Sequence, residues 1–395
     1  MPMLQGVRVL DLSRVISGPF CSRMLGDLGA EVIKVETPSG EPTRKATPSR
    51  GGFSSLFAQY NAGKKSVCID LREADGIALV CELAAQSDVF LENFRAGLAS
   101  EIGVGYATIS QANPGIIYCS ISGFGQQGED AGRPAYTDII QALAGLDYAS
   151  QNMYGNETQA PHGYPAAIAD TCTSLNAAIA ILAALYHREQ TGAGQYIDLS
   201  MLDAMVASND STLQRFIFSG GKEDAPGPIY RPPLKLKDGF LAASIGLSFN
   251  KTMHAIGRED LLTDPRFSTP QLQRDNMGVF VEVARAWAAT KTVSEVSTLF
   301  AANDIPFGKV NSSQDVVSSR VVNERQMLID VDLPGEGPTA VINTPFHFSG
   351  GRSAPSGPPP ALGAHTRELL TGLPDMSSER FDRLLASGVI READT

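Results

Sequence analysis

The first 200 residues alternate between short apolar segments and helical segments, and this alternation constrains the fold more than any other feature. Apolar runs typical of β-strands lie at residues 7–12, 31–36, 66–71, 88–93, 115–125 and 194–201. The segment 18–30 has the apolar spacing of a helix, and Gly29 is placed to end it. Strands separated by helices of this length form βαβ units, which build a parallel sheet with helices on both faces. We therefore predict an α/β, Rossmann-like half of the chain.

The composition changes beyond this half. Residues 219–233 are rich in Gly and Pro and indicate a linker, whereas a new strand pattern begins at 239 and helical segments continue to about residue 303. The division that we predict has three parts. It consists of a large α/β domain over 1–225, a smaller α+β domain over 226–325, and a C-terminal segment over 326–395 that returns to complete the large domain.

The overall composition excludes several function classes. A formal net charge of −11 argues against nucleic acid or an acidic membrane surface as a partner. The five cysteines are scattered without a C-x-x-C pair, which favours buried thiols in a reducing compartment over disulfides or a metal site. No leader pattern is visible at the N-terminus, and the longest apolar run, AAIAILAALY, is about half the length of a membrane span. We expect a cytoplasmic protein without a metal.

A parallel sheet of this kind invites a dinucleotide-binding interpretation. Glu36, at the end of the second predicted strand, fits it. The first strand-to-helix turn does not, because it reads SRVISGPFCSRML, with Gly18 alone and Pro19 as a natural first helical residue. Without a second glycine the backbone cannot approach a pyrophosphate in the usual way. We therefore do not expect NAD binding, and the fold alone fixes no function.

Seven segments, in order and through nearly the whole chain, resemble the family III CoA-transferases and the related α-methylacyl-CoA racemases. They are GVRVLDLSRVISGPFCSRMLGDLGAEVIKVE, NAGKKSVCIDLR, DVFLENFRAG, IIYCSISGFGQQG, AYTDIIQALAGL, AIADTCTSLNAAIAILAALYHREQTGAGQYIDLSMLDAM and PPPALGAHT. Their order is most similar to the branch that moves CoA between dicarboxylates, with succinyl-CoA as a typical donor. The resemblance implies a homodimer whose chains interlock like links, threading here at about 200–230 and 325–350.

Asp170 has two interpretations. From the residues alone it is a helix N-cap, with its carboxylate accepting from the N–H of Cys172 or Thr173. The resemblance instead implies that Asp170 is the nucleophile, which forms a mixed anhydride with the acyl group and then a thioester with CoA. Such an enzyme holds no tightly bound cofactor, since CoA is its substrate and product.

Two other functions remain as alternatives. An α-methylacyl-CoA racemase would abstract a proton, and the resemblance implies a histidine at the position of Tyr136, whose phenol is a poor base at neutral pH. His162 is another potential base, although a lone histidine in a loop is more often a surface residue. A non-catalytic acyl-CoA-binding protein is the third hypothesis.

The resemblance also implies the residues that bind the substrates. Those expected to contact CoA are Arg14, Val15, Ile16, Ile69, Arg72, Asn93, Phe94 and Arg95. Those expected near the acyl group or the acid are Tyr136, Gly246 and Arg44, with Arg50 and Arg231 as further candidates for a remote carboxylate. Thr37 and Glu101 stand where relatives carry basic residues, which shifts the expected phosphate contacts towards Arg95, Arg72 or Lys65.

Overall fold

A computed structural model describes residues 2–149, 166–209, 212–221, 233–333 and 336–393. The chain packs into two compact units, of which the first comprises 1–144, 163–209 and 320–395 and the second comprises 145–162 and 210–319. The boundaries that we predict from composition, after residues 225 and 325, lie further along the chain than these divisions.

The secondary structure of the described residues is as follows. The strands are β1 Arg8–Asp11, β2 Glu31–Glu36, β3 Ser49–Arg50, β4 Phe53–Ser54, β5 Lys65–Ile69, β6 Val89–Glu92, β7 Ile117–Ser122, β8 Gln195–Ser200, β9 Leu234–Leu236, β10 Gly239–Ala243, β11 Phe307–Lys309, β12 Leu328–Leu333, β13 Gly337–Ile342, β14 His347–Phe348, β15 Gly351–Arg352 and β16 Ile390–Arg391. The α-helices are α1 Ser17–Asp27, α2 Ser55–Asn61, α3 Ala74–Ala85, α4 Leu98–Glu101, α5 Tyr106–Ala112, α6 Thr137–Leu143, α7 Ile168–Thr191, α8 Met201–Ser208, α9 Thr212–Phe218, α10 Phe249–Ile256, α11 Pro270–Asp275, α12 Met277–Ala288, α13 Val293–Ala302, α14 Ser313–Val317, α15 Arg320–Glu324, α16 Thr366–Thr371 and α17 Ser378–Ala386.

The first unit is built on a seven-stranded sheet with the order β16-β5-β2-β1-β6-β7-β8. All neighbouring strands run parallel except β16, which pairs antiparallel with β5 at the edge. The predicted mixed α/β fold with a mostly parallel sheet is therefore confirmed. The strand order reverses direction between β1 and β6. The chain leaves these two strands towards different helical layers, α1 after β1 and α5 after β6. The crevice at the carboxyl ends of the strands at such a point is where open α/β sheets bind ligands.

Helices cover this sheet because the strands are apolar on both faces. One core joins the sheet to α3, α16 and α17, and it includes Leu10, Leu79, Leu370 and Phe381. In a separate layer, α1 packs on β1 and β2 and against α7, which packs on β7 and β8. The face of α7 towards these neighbours consists of small and aliphatic residues, so the two helices and the sheet approach closely.

The helix α7 is longer than the apolar run seen in the sequence. It has 24 residues, and by length and composition alone it could cross a membrane. The core helix of a water-soluble protein meets the same two criteria, and Ala177 and Ile181 of α7 are fully buried in the first unit.

The second unit has its own core around a small antiparallel sheet of order β11-β10-β9. This core is mostly aliphatic, and α10, α12 and α13 contribute Phe249, Phe280 and Phe300 to it. The C-terminal residues 320–393 belong to the first unit, where Ile390 pairs with Ile69 at the sheet edge.

A buried ion pair lies where β1 ends. The Lys64 ammonium is 3.0 Å from the Asp11 carboxylate, and both side chains are almost fully buried. Lys64 also donates to the carbonyl of Pro19 and to the side-chain oxygen of Asn61, each at 2.9 Å, so all three of its protons have partners. Burial alone would raise the pKa of Asp11, but Lys64 and Lys34 hold it well below its ordinary value.

We predict that Lys64→Ala lowers the free energy of unfolding by about 3–5 kcal/mol, because it leaves a buried carboxylate without its cation. Lys65→Ala is the matched control. The neighbouring Lys65 side chain is one-third exposed in its ion pairs, so its loss should cost only about 0–1 kcal/mol. Chemical denaturation of both variants measures the difference, and equal losses would contradict the prediction.

Candidate active site

The loop that follows β1, residues 13–16, forms one wall of the crevice and leads into α1 at Ser17. Its first residue is fixed by side chains from the sheet. Asp11 accepts the backbone N–H of Ser13 at 2.9 Å, and the Lys34 ammonium donates to the carbonyl of Ser13 at 2.9 Å. Gly18, just after the loop, must be a glycine, since a Cβ there would lie 2.1 Å from the Cβ of Ser13.

Val15, in the middle of this loop, adopts a left-handed backbone conformation with φ of 68°. Such a conformation is costly for a β-branched residue and persists only where its surroundings enforce it. The buried carboxylate of Glu41 accepts the N–H of Val15 at 3.0 Å and supplies that constraint. Val15 and Ile16, both expected to contact CoA, thus lie on a loop that is held in one shape.

Asn93, at the end of β6, clamps the same loop from the other side of the crevice. Its Oδ1 accepts the N–H of Arg14 at 2.7 Å, and its Nδ2 donates to the carbonyl of Arg14 at 2.7 Å. The same Nδ2 donates to the Ser17 hydroxyl at 3.0 Å. Arg14 and Asn93, which we predicted as separate CoA contacts, are therefore joined directly.

Asp170 is not the N-cap of its helix, so the interpretation from the residues alone is wrong. The helix α7 begins at Ile168 after Ala167, and Asp170 lies in its first turn. The orphan N–H groups of Ile168 and Ala169 are accepted instead by Oε1 of Gln141, at 3.0 and 3.4 Å. Because a side chain from another helix caps α7, the carboxylate of Asp170 is available for other contacts.

The Asp170 carboxylate is half-buried beside Ser17 and Thr137. Burial raises the pKa of Asp170 to about 6, although hydrogen bonding from these two residues opposes the rise. Burial and the charge of Asp170 together raise the pKa of Tyr60, which therefore lies close by. Sequence reasoning missed Ser17, Thr137 and Tyr60, because only the tertiary structure brings them to Asp170.

Tyr136 directly precedes Thr137 at the N-cap position of α6, and its side chain is 69% exposed. Tyr136 is thus adjacent in sequence to Thr137, which lies beside Asp170, and its ring is open to solvent. His162 and Arg231 lie outside the residues that the structure describes. Gly246 lies in the second unit, in the turn before α10.

Of the cations predicted to contact CoA, Arg14, Arg72 and Arg95 lie at the carboxyl ends of β1, β5 and β6. Lys65 instead begins β5, at the opposite end of that strand, and pairs with Glu31 and Glu368. Arg14 lies over the ring of Phe94, with 5.4 Å between the guanidinium carbon and the ring centroid. Arg95 pairs with Glu101 at 3.0 Å, and the exposed Arg72 pairs with Asp70 at 2.6 Å. These pairs are at the surface, where an anionic ligand can compete for the arginine.

Ile69 departs from the prediction that it flanks the adenine. Its side chain is fully buried in the core beneath α3 and cannot form part of a ligand surface. The reason is that β5 is buried on both faces from Ser66 to Ile69 and the following Asp70 is buried as well, so Arg72 is the side chain that reaches the surface.

Arg44 is engaged within the protein. Its guanidinium makes two hydrogen bonds of 2.7 Å to Glu36, donates to the carbonyl of Pro360 at 3.0 Å and stacks on Phe57 at 3.8 Å. A substrate carboxylate would have to compete with Glu36 for it. Arg50 has a looser contact of 3.3 Å with Glu336 and is more exposed.

Comparisons with known proteins agree with this architecture. The family model for CoA-transferase family III matches residues 4–366. The chain belongs to this family. It is 36% identical to succinyl-CoA:glutarate CoA-transferase of Mus musculus, over 100% of this chain and 92% of that one. It is 31% identical to succinyl-CoA–D-citramalate CoA-transferase of Chloroflexus aurantiacus, over 98% of both chains.

The fold comparison gives the same family. A crystal structure of a CaiB/BaiF family protein from Brucella suis superposes with a TM-score of 0.81 at 30% identity, over 94% of this chain and 99% of that one. The predicted reaction class, acyl-CoA:carboxylate CoA transfer, is confirmed at the level of the family. The relatives named here are transferases, which favours transfer over racemisation.

Glu92 is another buried carboxylate of this family III CoA-transferase, and sequence reasoning missed it. It accepts the N–H of Phe94 at 2.7 Å and the hydroxyl of Ser120. Burial raises the pKa of Glu92 to about 7, and the charge of Asp198 adds to the rise. Its two acceptor contacts tie the end of β6, and hence Asn93, to β7.

We predict that Asp170→Asn raises the melting temperature at pH 8 and that this gain disappears below about pH 4. The folded pKa of Asp170, about 6, lies above its value of about 4 in an unfolded chain, so the ionised form destabilises the fold at high pH. The destabilisation of the unaltered enzyme by the ionised Asp170 is complete above pH 6 and decreases as the pH falls towards 4. Thermal scans across this range test it, with Asp138→Asn, an exposed first-turn aspartate of α6, as the control. A gain that did not change with pH would contradict the prediction.

Proposed function

We propose that this enzyme transfers CoA from an acyl-CoA to a carboxylic acid through covalent intermediates on Asp170. The observation that carries the proposal is a half-buried carboxylate in the first turn of α7, beside Ser17 and Thr137 and without a cationic partner among the described residues. Such a group is ionised at neutral pH and needs no general base, unlike a serine nucleophile.

The proposed reaction has four steps. One oxygen of Asp170 attacks the thioester carbonyl of the donor, and CoA leaves as a thiolate, which gives an aspartyl–acyl anhydride. The thiolate then attacks the Asp170 carbonyl and releases the donor acid as a carboxylate, which leaves an aspartyl–CoA thioester. The acceptor carboxylate attacks that thioester, and the returning thiolate takes the acceptor acyl group and frees Asp170. No net proton transfer is required.

The surroundings of Asp170 support these steps physically. Its position in the first turn of α7 favours the anionic form through the helix dipole. The N–H of Ser17 can donate to the oxyanion that forms on the Asp170 carbonyl, and one such donor is worth about 3–4 kcal/mol. Burial limits the access of water to the anhydride.

The relatives suggest the substrate class. Both named transferases use succinyl-CoA, so we propose succinyl-CoA or a similar short acyl-CoA as donor and a dicarboxylate as acceptor. CoA would lie along the loop of Arg14, Val15 and Ile16 and against Asn93 and Phe94. Arg50, or Arg44 after exchange with Glu36, would meet the remote carboxylate, with Tyr136 and Gly246 near the acyl group.

We predict that Asp170→Ala abolishes CoA transfer, since no other group can carry the acyl intermediates. Incubation with succinyl-CoA and a panel of C4–C6 diacids, followed by mass spectrometry, measures new CoA esters. In the unaltered enzyme, hydroxylamine should trap the intermediate as a hydroxamate on Asp170. Asp138→Ala is the matched control and should retain both signals. Transfer by Asp170→Ala at the rate of the unaltered enzyme would overturn the proposal.

We further propose that the enzyme is an interlocked homodimer. The face of α7 that points away from the sheet exposes large apolar side chains at helical spacing, with Leu175 46%, Ile179 66% and Tyr186 69% exposed. A contiguous apolar surface of this kind is typical of a protein interface. A second copy of the chain, threaded at about 200–230 and 325–350, would cover it.

Light scattering should give the mass of a dimer. If the chains interlock, tagged and untagged dimers mixed after folding should not exchange subunits over hours, because separation requires at least one chain to unfold. Mixed dimers should form only when the two proteins are denatured together and refolded. A monomeric mass, or exchange within minutes, would exclude the interlocked assembly.

A further inference from the structure

Gln126, in the loop that follows β7, contacts the ends of three neighbouring strands. Its backbone N–H donates to both carboxylate oxygens of Asp198 on β8, at 3.1 Å each. Its side-chain Nε2 donates to the Ser120 hydroxyl on β7 at 2.8 Å, and its Oε1 accepts the N–H of Gly97, after β6, at 3.1 Å. Gly125 has a φ of 87°, which favours glycine, and this turn presents Gln126 to the three strands.

The side-chain contacts form a hydrogen-bond chain with one direction. The N–H of Gly97 can only donate, so the amide of Gln126 presents Oε1 to it and Nε2 to Ser120. The Ser120 oxygen accepts from that Nε2, and its single proton is donated to the carboxylate of Glu92 on β6. The other carboxylate oxygen of Glu92 accepts the N–H of Phe94 at 2.7 Å. Each group between the two backbone amides thus has a defined donor or acceptor role.

The parallel sheet brings these groups together. Glu92 is in register with Ser120, and Ser120 is in register with Asp198, so the three side chains form one row on one face of β6, β7 and β8. The strands fix this row, whereas Gln126 comes from a loop. Gln126 is therefore the residue that links the row to Gly97.

The chain anchors the loop after β6, residues 93–97, at two points. The N–H of Phe94 is held by Glu92, and the N–H of Gly97 is held by Gln126. The exposed Arg95 lies between these two anchors. Without the Gln126 contact, the loop would be held by this chain only at its start, and the backbone that carries Arg95 would be less restricted.

We propose that Gln126 is a positioning residue for CoA binding, because it holds the loop of Asn93, Phe94 and Arg95 through Gly97. This inference rests on the proposed function, in which CoA lies against that loop. A loop that is already ordered binds its ligand without the loss of conformational entropy that ordering would cost. Such a contribution acts on binding, so we expect Gln126 to affect KM and not kcat.

Gln126→Ala removes both side-chain contacts. We expect the Kd for coenzyme A, measured by isothermal titration calorimetry, and the KM for the acyl-CoA donor to rise about tenfold, with kcat unchanged within about twofold. Gln127→Ala, the same change at the adjacent exposed glutamine, is the matched control and should alter neither constant. Assays at about pH 8 keep Glu92 ionised, because burial raises its pKa to about 7.

Glu92→Gln combined with Gln126→Glu is the sharper test, because the pair of changes reverses the chain. In the double variant the amide at position 92 accepts from Phe94 and donates to Ser120. Ser120 then donates to the carboxylate at position 126, which still accepts from Gly97. In each single variant Ser120 faces either two donors or two acceptors. We expect each single change to raise the Kd for coenzyme A about tenfold, and the double variant to return it to within about threefold of the unaltered enzyme.

The outcomes separate the two proposals. Tyr196 on β8 also borders Ser120, so the recovery should persist in a Tyr196→Phe background. An unchanged Kd in Gln126→Ala, a lowered kcat without a change in KM, additive losses in the double variant, or recovery that disappears in Tyr196→Phe overturns the positioning role, while Asp170→Ala is still inactive. Transfer by Asp170→Ala overturns the proposed nucleophile alone, and failure of the unaltered enzyme to bind coenzyme A overturns both. Circular dichroism verifies the fold of each variant.

Discussion

The buried ion pair of Asp11 and Lys64 is the interaction on which the active-site side of the sheet depends. Asp11 uses its remaining acceptor capacity to hold Ser13, the first residue of the loop that leads into α1 at Ser17. The loop cannot hold its own shape, because Val15 has a left-handed backbone that its side chain disfavours. Charges buried in the core thus fix the wall of a crevice several residues away.

Two aspartates in this unit, the buried Asp11 and the half-buried Asp170, have opposite electrostatic surroundings. Burial would raise the pKa of both, yet Lys64 and Lys34 lower that of Asp11, whereas Asp170 has no cation beside it among the described residues and keeps a pKa of about 6. A cation beside a carboxylate stabilises its charge and reduces its tendency to form a new bond. The difference separates a structural carboxylate from one that is suited to nucleophilic attack.

The sequence predicted the sheet well because each parallel strand is apolar on both faces and each helix has its own periodicity, as for β2 at 31–36. The resemblance identified Asp170 as the candidate nucleophile, whereas the residues alone wrongly predicted it to be a helix N-cap. No nearby signal reveals that Gln141, 27 residues earlier, caps α7, or that Asn93 contacts Arg14 across 79 residues. Likewise, only the packed structure shows that Arg44 is engaged by Glu36 and that Ile69 is buried.

The neutral donors around Asp170 also suit the order of the proposed chemistry. A carboxylate held by an arginine would lose that partner on becoming an uncharged anhydride, and a buried cation would then be left unpaired. Neutral hydroxyl and amide donors can hydrogen-bond to a carboxylate, a carbonyl or an oxyanion, so each proposed intermediate on Asp170 would retain its partners. The strongest demand would fall on the oxyanion. In the proposed mechanism, donors that the fold holds in place meet that demand without reorganisation.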